Sequence, residues 1–235
     1  MNPQPRIGLI IPSSNRLTEP QFQRYVPPGI GVHVTRLRMT GKFRKPPGEL
    51  KLALAEAAAA ISDIKPGVIV FHCTANSMEE GLAHEAALVE TIQSASGCPA
   101  ITTAQAIREA FAQLGIKKLV LISPYVKETN EHEVNYLKET GFTVLHELGL
   151  GLESEGYSQV TPEQWIKTVK ENTRPDADGY FLSCTNTRMI ETIGDLERDL
   201  RKPVVTSNQA TLWACLRRLG YAQSVIGLGG LFNER

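Results

Sequence analysis

The sequence predicts an α/β protein of two pseudo-symmetric lobes, each a parallel sheet flanked by helices, with the active site between the lobes. Three observations carry this. Short apolar, β-branched runs alternate with helical patterns along the whole chain, the order expected of parallel sheets covered on both faces. Three sequence features recur in the same order in the two halves. The length of 235 residues, with 42% hydrophobic and 21% charged residues, allows one large or two smaller packed domains and argues against general disorder.

The expected strands are residues 7–11, 32–37, 68–73, 119–123, 143–146, 179–184, 203–206 and 225–227. Most are short runs rich in Val, Ile, Leu or Phe, as strands buried in a parallel sheet require. Helical patterns fill 50–64, 78–93, 104–114, 127–139, 162–173, 189–200 and 210–219. Ser77 and Glu80 form a candidate capping box for the second of these, and Thr187 is the candidate N-cap for 189–200. The first lobe is expected at 1–103, with 209–235 packing back on it, and the second at 104–208.

The repeated features define where to look for chemistry. Ile7-Gly-Leu-Ile-Ile-Pro12-Ser13-Ser14-Asn15 is echoed by Leu119-Val-Leu-Ile-Ser-Pro124-Tyr125. Val-Ile-Val-Phe-His-Cys73-Thr74-Ala-Asn76 is echoed by Gly-Tyr-Phe-Leu-Ser-Cys184-Thr185-Asn186. Pro-Ala-Ile-Thr102-Thr103-Ala-Gln105 is echoed by Pro-Val-Val-Thr206-Ser207-Asn208-Gln209. In sheets of this kind ligands sit at the carboxyl ends of strands, which is where the first two pairs fall.

Cys73 and Cys184 therefore stand out as a matched pair, each ending a strand just before a helix. Such a position exposes a thiol to the positive end of a helix dipole and is expected to lower its pKa from about 8.5. Thr74, Asn76, Thr185 and Asn186 add neutral hydrogen-bonding groups, and Ser14, Asn15 and Tyr125 follow the paired strands as candidate carboxylate donors. Thr206, Ser207 and Asn208 have a weaker claim of the same kind. Cys98, before a proline, and Cys215, in mid-helix, read as packing residues. His72 points to the opposite strand face from Cys73 and reads as a core histidine.

Several classes are disfavoured. Lys+Arg and Asp+Glu both total 25, which leaves no electrostatic footprint for nucleic acid or anionic membrane. No apolar run approaches the ~20 residues of a membrane helix. No signal-peptide pattern opens the chain, so a cytoplasmic location with free thiols is expected. The five histidines show no metal-ligand spacing, and Gly149, Gly151 and Gly156 fit no dinucleotide fingerprint but suggest a flap over the cleft. No metal or cofactor is expected. Lys42, Arg44 and Lys45 read as a solvated loop.

These motifs together resemble the aspartate/glutamate racemase superfamily, within it the maleate cis-trans isomerase and arylmalonate decarboxylase branch. The similarity rests on the Pro-Ser-Ser-Asn15 turn, the Cys73 turn, Ser-Pro-Tyr125, Leu-Ser-Cys184 and Ser-Asn-Gln-Ala-Thr-Leu-Trp213, and spans nearly the whole chain. It implies two lobes with one cysteine from each, no cofactor, a small carboxylate substrate and a homo-oligomer, dimer or larger. It also implies Cys73 as the nucleophile, Cys184 as the proton donor and acceptor, and Asn15 and Tyr125 as holders of carboxylates. The sequence departs from the isomerases in the loop after the strand near Val144: an expected asparagine is missing, and the loop reads Gly151-Leu-Glu153-Ser154-Glu155-Gly156. Two chemistries fit two opposed sulfurs: maleate-type isomerisation, and racemisation of an amino acid or hydantoin by two-thiol proton transfer. The decarboxylases keep only the second cysteine, so Cys73 counts against that activity. A non-catalytic ligand-binding protein would have little use for either thiol.

Overall fold

A computed structural model of the chain describes residues 4–41 and 45–233. The first sheet comprises β1 (Arg6–Pro12), β2 (Gly31–Leu37), β3 (Val68–Phe71) and β4 (Ala100–Thr102); the second comprises β5 (Lys118–Ser123), β6 (Thr143–Gly149), β7 (Gly179–Leu182) and β8 (Val204–Thr206). Both sheets are parallel, and their strand orders, β2-β1-β3-β4 and β6-β5-β7-β8, are the same. The internal echo in the sequence is thus a repeat of topology. In each sheet the order reverses between the first and third strands, which opens a crevice at their carboxyl ends.

The helices are α1 (Thr18–Tyr25), α2 (Pro47–Ser62), α3 (Thr74–Met78), α4 (Gly81–Ser96), α5 (Thr103–Leu114), α6 (Lys127–Glu139), α7 (Pro162–Glu171), α8 (Ile193–Leu200) and α9 (Ser207–Arg218). The third echo proves to be a helix start. Thr102 caps α5 by accepting from Gln105 N, and Thr206 caps α9 with the full Thr206/Gln209 capping box. Helices α4 and α5 end at Gly97 (φ 66°) and Gly115 (φ 70°), left-handed positions that glycine fills without steric cost.

Burial follows strand position. β1, β3, β5 and β7 are almost wholly buried, whereas β2 and β6 lie half exposed at one edge. At the other edge β4 and β8 are fully buried, because α5 and α9 pack on each other and against β8. One hydrophobic core therefore runs through both sheets, from Ile7 and Val70 to Leu121 and Phe181. A second core lies under α2 and α4 on the other face of the first sheet, built around Leu54, Ile61, Ile69 and Ile92.

The structure corrects several expectations. Residues 225–227 are not a strand: Ile226 is 96% exposed and Gly227 has φ 89°, so the segment turns instead of pairing. β4 and α1 were not expected. β4 has only three residues, and α1 buries only Thr18, Gln21 and Phe22, so neither gives a strong apolar period. Ser77 does not cap a helix. It is buried within α3, donating to Thr74 O (2.9 Å) and accepting from Ala104 N (3.2 Å), while Gly81 at φ 78° delays α4 to 81–96. Residues 189–200 split into a 3₁₀ turn, Met189–Thr192, followed by α8, and Thr187 bonds back to Cys184 O instead of capping. Lys45 pairs with Glu49 on the surface (3.8 Å), while Lys42 and Arg44 lie outside the described residues.

Candidate active site

The carboxyl ends of β1, β3, β5 and β7 converge on one cleft of about 330 Å³. Of the residues expected at the site, Ser14, Asn15, Cys73, Asn76, Tyr125, Cys184, Thr185 and Asn186 line it. Thr74 does not. It is buried behind the wall, and its Oγ1 donates to Ser207 Oγ at 2.8 Å. Ser207 Oγ in turn accepts the backbone N–H of Cys184 at 3.1 Å, so one hydroxyl on the first residue of α9 joins the two cysteine turns.

The two sulfurs have matching surroundings. Cys73 sits at the N-cap of α3; its Sγ–H donates to Asn76 Oδ1 (3.0 Å), and the Asn76 backbone N–H approaches the sulfur. Cys184 accepts the Asn186 N–H (3.3 Å) and the Tyr125 hydroxyl. Cys184 also has φ 138°, a conformation rare for a side-chain-bearing residue and a cost of about 1–3 kcal/mol concentrated at the site. The expectation of low thiol pKa values is not met. Burial pushes both Cys73 and Cys184 up to about 12, outweighing the N–H and hydroxyl donors. Withdrawing a thiolate from water costs more than a few dipoles return. The same burial acts on Cys215, also near 12, but that thiol lies inside α9, remote from the cleft lining.

Asn15 binds the first turn to the second lobe. Its Oδ1 accepts the N–H groups of Leu17 (3.1 Å) and Thr18 (2.9 Å). Its Nδ2 lies within reach of Thr18 Oγ1 (2.9 Å), Thr185 Oγ1 (3.1 Å) and Thr185 O (3.3 Å). Two hydrogens thus face three acceptors, and contact with a substrate means exchanging one of them. Behind this turn, Asn186 Oδ1 accepts from Arg16 N, Gln21 Nε2 donates to Thr187 O, and Asn208 Nδ2 donates to Thr185 O. His72 is fully buried between Thr103 Oγ1 and Asn208 Oδ1, both at 2.9 Å, and burial lowers its pKa to about 4. It is a neutral core histidine at the lobe junction.

The loop after β6 covers one side of the cleft. Backbone bonds from Leu150, Gly151 and Leu152 to Ser123, Tyr125 and Pro124 pin it to the Tyr125 turn. Leu152, Glu153, Ser154 and Tyr157 consequently line the cleft, while Glu155 is exposed and outside the lining. Tyr157 was missed by sequence reasoning. Its ring packs edge-on against Tyr125, centroids 5.4 Å apart, and burial with the charges of Cys184 and Glu153 raises its pKa. No strand or helix pattern marks its loop. Glu133 was also missed, though it left a signal: a carboxylate one turn before Leu137, on the apolar face of α6. It is fully buried, accepts from Ser183 Oγ (2.8 Å), and burial raises its pKa to about 8.

Comparison with known proteins shows the family and the fold. The chain is 28% identical to a maleate isomerase of Pseudomonas putida over 242 residues, covering 97% of each. It is 30% identical to the arylmalonate decarboxylase of Bordetella bronchiseptica over 165 residues, covering 68% of this chain and 69% of that one. Its fold superimposes with TM-score 0.88 on a Nocardia farcinica maleate cis-trans isomerase structure holding a covalently bound succinylcysteine intermediate, at 22% identity over 97% of this chain and 98% of the other. The family model for arylmalonate decarboxylase matches residues 7–232, and the chain belongs to that family.

Proposed function

We propose that the protein is a cofactor-independent cis-trans isomerase of a small unsaturated dicarboxylate, converting maleate to fumarate, with Cys73 as nucleophile and Cys184 as proton donor and acceptor. The observation that carries this reading is the pair of thiols on one cleft, each at a strand's carboxyl end and each given a backbone N–H from two or three residues downstream. The relative named maleate isomerase and the succinylcysteine held by the Nocardia protein support it.

The reactive state carries one proton on the two sulfurs. Cys73 thiolate adds to one alkene carbon, and the electron pair moves toward the carboxylate-bearing neighbour, which takes the proton of Cys184. The result is a thioether with a single bond free to rotate. After rotation the Cys184 thiolate removes the proton, the C–S bond breaks, and the trans acid leaves with both sulfurs restored. Tyr157, Ser14 and Asn186, and Tyr125 and Asn15 by exchanging their present bonds to Cys184 and to Thr18 or Thr185, offer neutral donors to the carboxylates. Because both thiols rest protonated, the rate rises with pH through the neutral and alkaline range.

The test is maleate turnover followed by NMR in deuterated water, with Cys73→Ala and Cys184→Ala each abolishing fumarate formation. Full activity in either variant overturns the mechanism. The near-equivalence of the two sulfurs favours one second reading, racemisation at a carbon alpha to a carboxylate. With a chiral amino acid or hydantoin in place of maleate, that activity appears in the same NMR assay as deuterium uptake at the alpha carbon, and with an arylmalonate decarboxylation appears as a lost carboxylate.

A further inference from the structure

Glu133 is a buried acid to which the two-thiol chemistry gives no task. Its Oε1 accepts the Ser183 hydroxyl, and its Oε2 has no hydrogen-bond partner among the described residues. The contrast is Glu85 on α4, equally enclosed, whose carboxylate is met by Thr102, Arg108 and the Tyr136 hydroxyl. That is the company an ionised carboxylate keeps, since it is acceptor-only and needs donors on both oxygens. With no donor on Oε2, burying this carboxyl costs less as the neutral acid than as a charged carboxylate.

We propose that Glu133 is a positioning residue that works un-ionised: it anchors Ser183, and through it the Cys184 turn, while adding no charge beside the two thiols. Ser183 is held at both ends, its N–H by Ile122 O (2.8 Å) and its hydroxyl by Glu133. The next residue is Cys184 with φ 138°, so the anchor bears directly on the strained turn. Burial keeps the proton on Glu133 up to about pH 8. Once ionised, its charge raises the pKa of Cys73, Cys184 and Tyr125 alike. A cleft that must hold a thiolate and an anionic substrate gains from keeping this carboxyl neutral.

Among the described residues, the elements packed most closely on α6 are β6, α3 and α4. They bring His146 and Glu147 from β6, Cys73 at the start of α3, and His84, Glu85 and Glu90 from α4; α6 itself carries Glu128 and His132 onto the cleft, where Glu79, Glu153, Cys184, Tyr125 and Tyr157 also lie. Glu147 is bonded by Asn130 and Glu85 is paired with Arg108. Glu133 is the carboxyl beside the sulfurs that burial itself raises, to about 8.

The catalytic meaning of this inference rests on the two-thiol reading, but its test needs no turnover. Glu133→Gln keeps an oxygen for Ser183 and never ionises; Glu133→Leu removes both functions. The folded proteins are alkylated with iodoacetamide between about pH 6 and pH 10, and modification of Cys73 and Cys184 is quantified separately by mass spectrometry. Below about pH 7 the wild type and Glu133→Gln agree within about twofold. Above about pH 9 the Gln variant reacts at least about threefold faster, because its thiols ionise without an opposing charge. Glu133→Leu departs from both at every pH. The infrared spectrum of the wild type at about pH 7 shows a buried carboxylic-acid carbonyl band that Glu133→Gln lacks. Superimposable wild-type and Gln profiles, or absence of that band, overturn the proposal even if Glu133→Leu fails to fold. A protein that shows both signatures but does not isomerise maleate refutes the proposed function and leaves this inference standing.

Discussion

Replacing Asn15 tests whether the cleft is held together by the residue that also lines it. Asn15→Ala leaves the N–H groups of Leu17 and Thr18 and the Thr185 hydroxyl without this partner, while Thr185 O keeps Asn208 Nδ2 and Thr18 Oγ1. Asn15 is 2% exposed, so these groups are largely cut off from water. A buried group left unpaired costs about 1–3 kcal/mol; water entering from the cleft recovers part of this, and the net expected loss is about 3 kcal/mol. At about 2–4 °C per kcal/mol for a chain of this size, Tm falls by about 6–12 °C. Asn15→Asp keeps the acceptor for Leu17 and Thr18 but sets an oxygen against Thr185 O, and costs at least as much. Urea unfolding followed through Trp165 and Trp213 measures both. A double-mutant cycle with Thr185→Val isolates the contact between lobes, with an expected coupling of about 1 kcal/mol. A stability loss below about 1 kcal/mol with no coupling, alongside a large rise in KM, refutes the clasp and makes Asn15 a pure substrate ligand.

The remaining predictions concern the turn around Tyr125 and the lobe junction. A Cβ on Gly149 would lie 2.4 Å from Tyr125 O, so Gly149→Ala displaces the Tyr125 turn and lowers kcat at least about tenfold, a loss of about 1.4 kcal/mol or more in the transition state. Steady-state kinetics with an unchanged circular-dichroism spectrum checks this, and unaltered kcat counts against it. His72 is neutral when folded, with its pKa lowered to about 4, and titrates near 6.5 when unfolded. Its contribution to stability is therefore complete above about pH 6.5 and declines as pH falls through about 4, by a few kcal/mol at most. Urea midpoints across that window for wild type and His72→Gln show it, because the variant lacks this part of the acid sensitivity.

Strand runs such as 7–11, 68–73 and 119–123 were legible because central strands of a parallel sheet are apolar on both faces, and composition alone reports that. The paired cysteines and the Pro-Ser-Ser-Asn15 and Ser-Pro-Tyr125 turns were legible because the repeat places them at equivalent strand ends. The Thr102–Gln105 and Thr206–Gln209 pairs were visible only as an echo; the fold explains them as helix caps. What the sequence misjudged depended on single backbone angles or on very short elements: Gly81 delaying α4, Gly227 turning 225–227 away from any sheet, and the three residues of β4.

The sequence by itself determined the two-lobed α/β architecture and nominated two thiols, since alternating apolar runs and a repeated motif are properties of the chain in order. Only the tertiary structure decided the state of those thiols. Their ionisation is set by how much water the assembled lobes exclude, and that reverses the expected direction. The same holds for Ser207, Tyr157 and Glu133, each brought to or beneath the cleft by a different segment. Burial and long-range contact arise only when distant parts of the chain meet, and local pattern does not encode them.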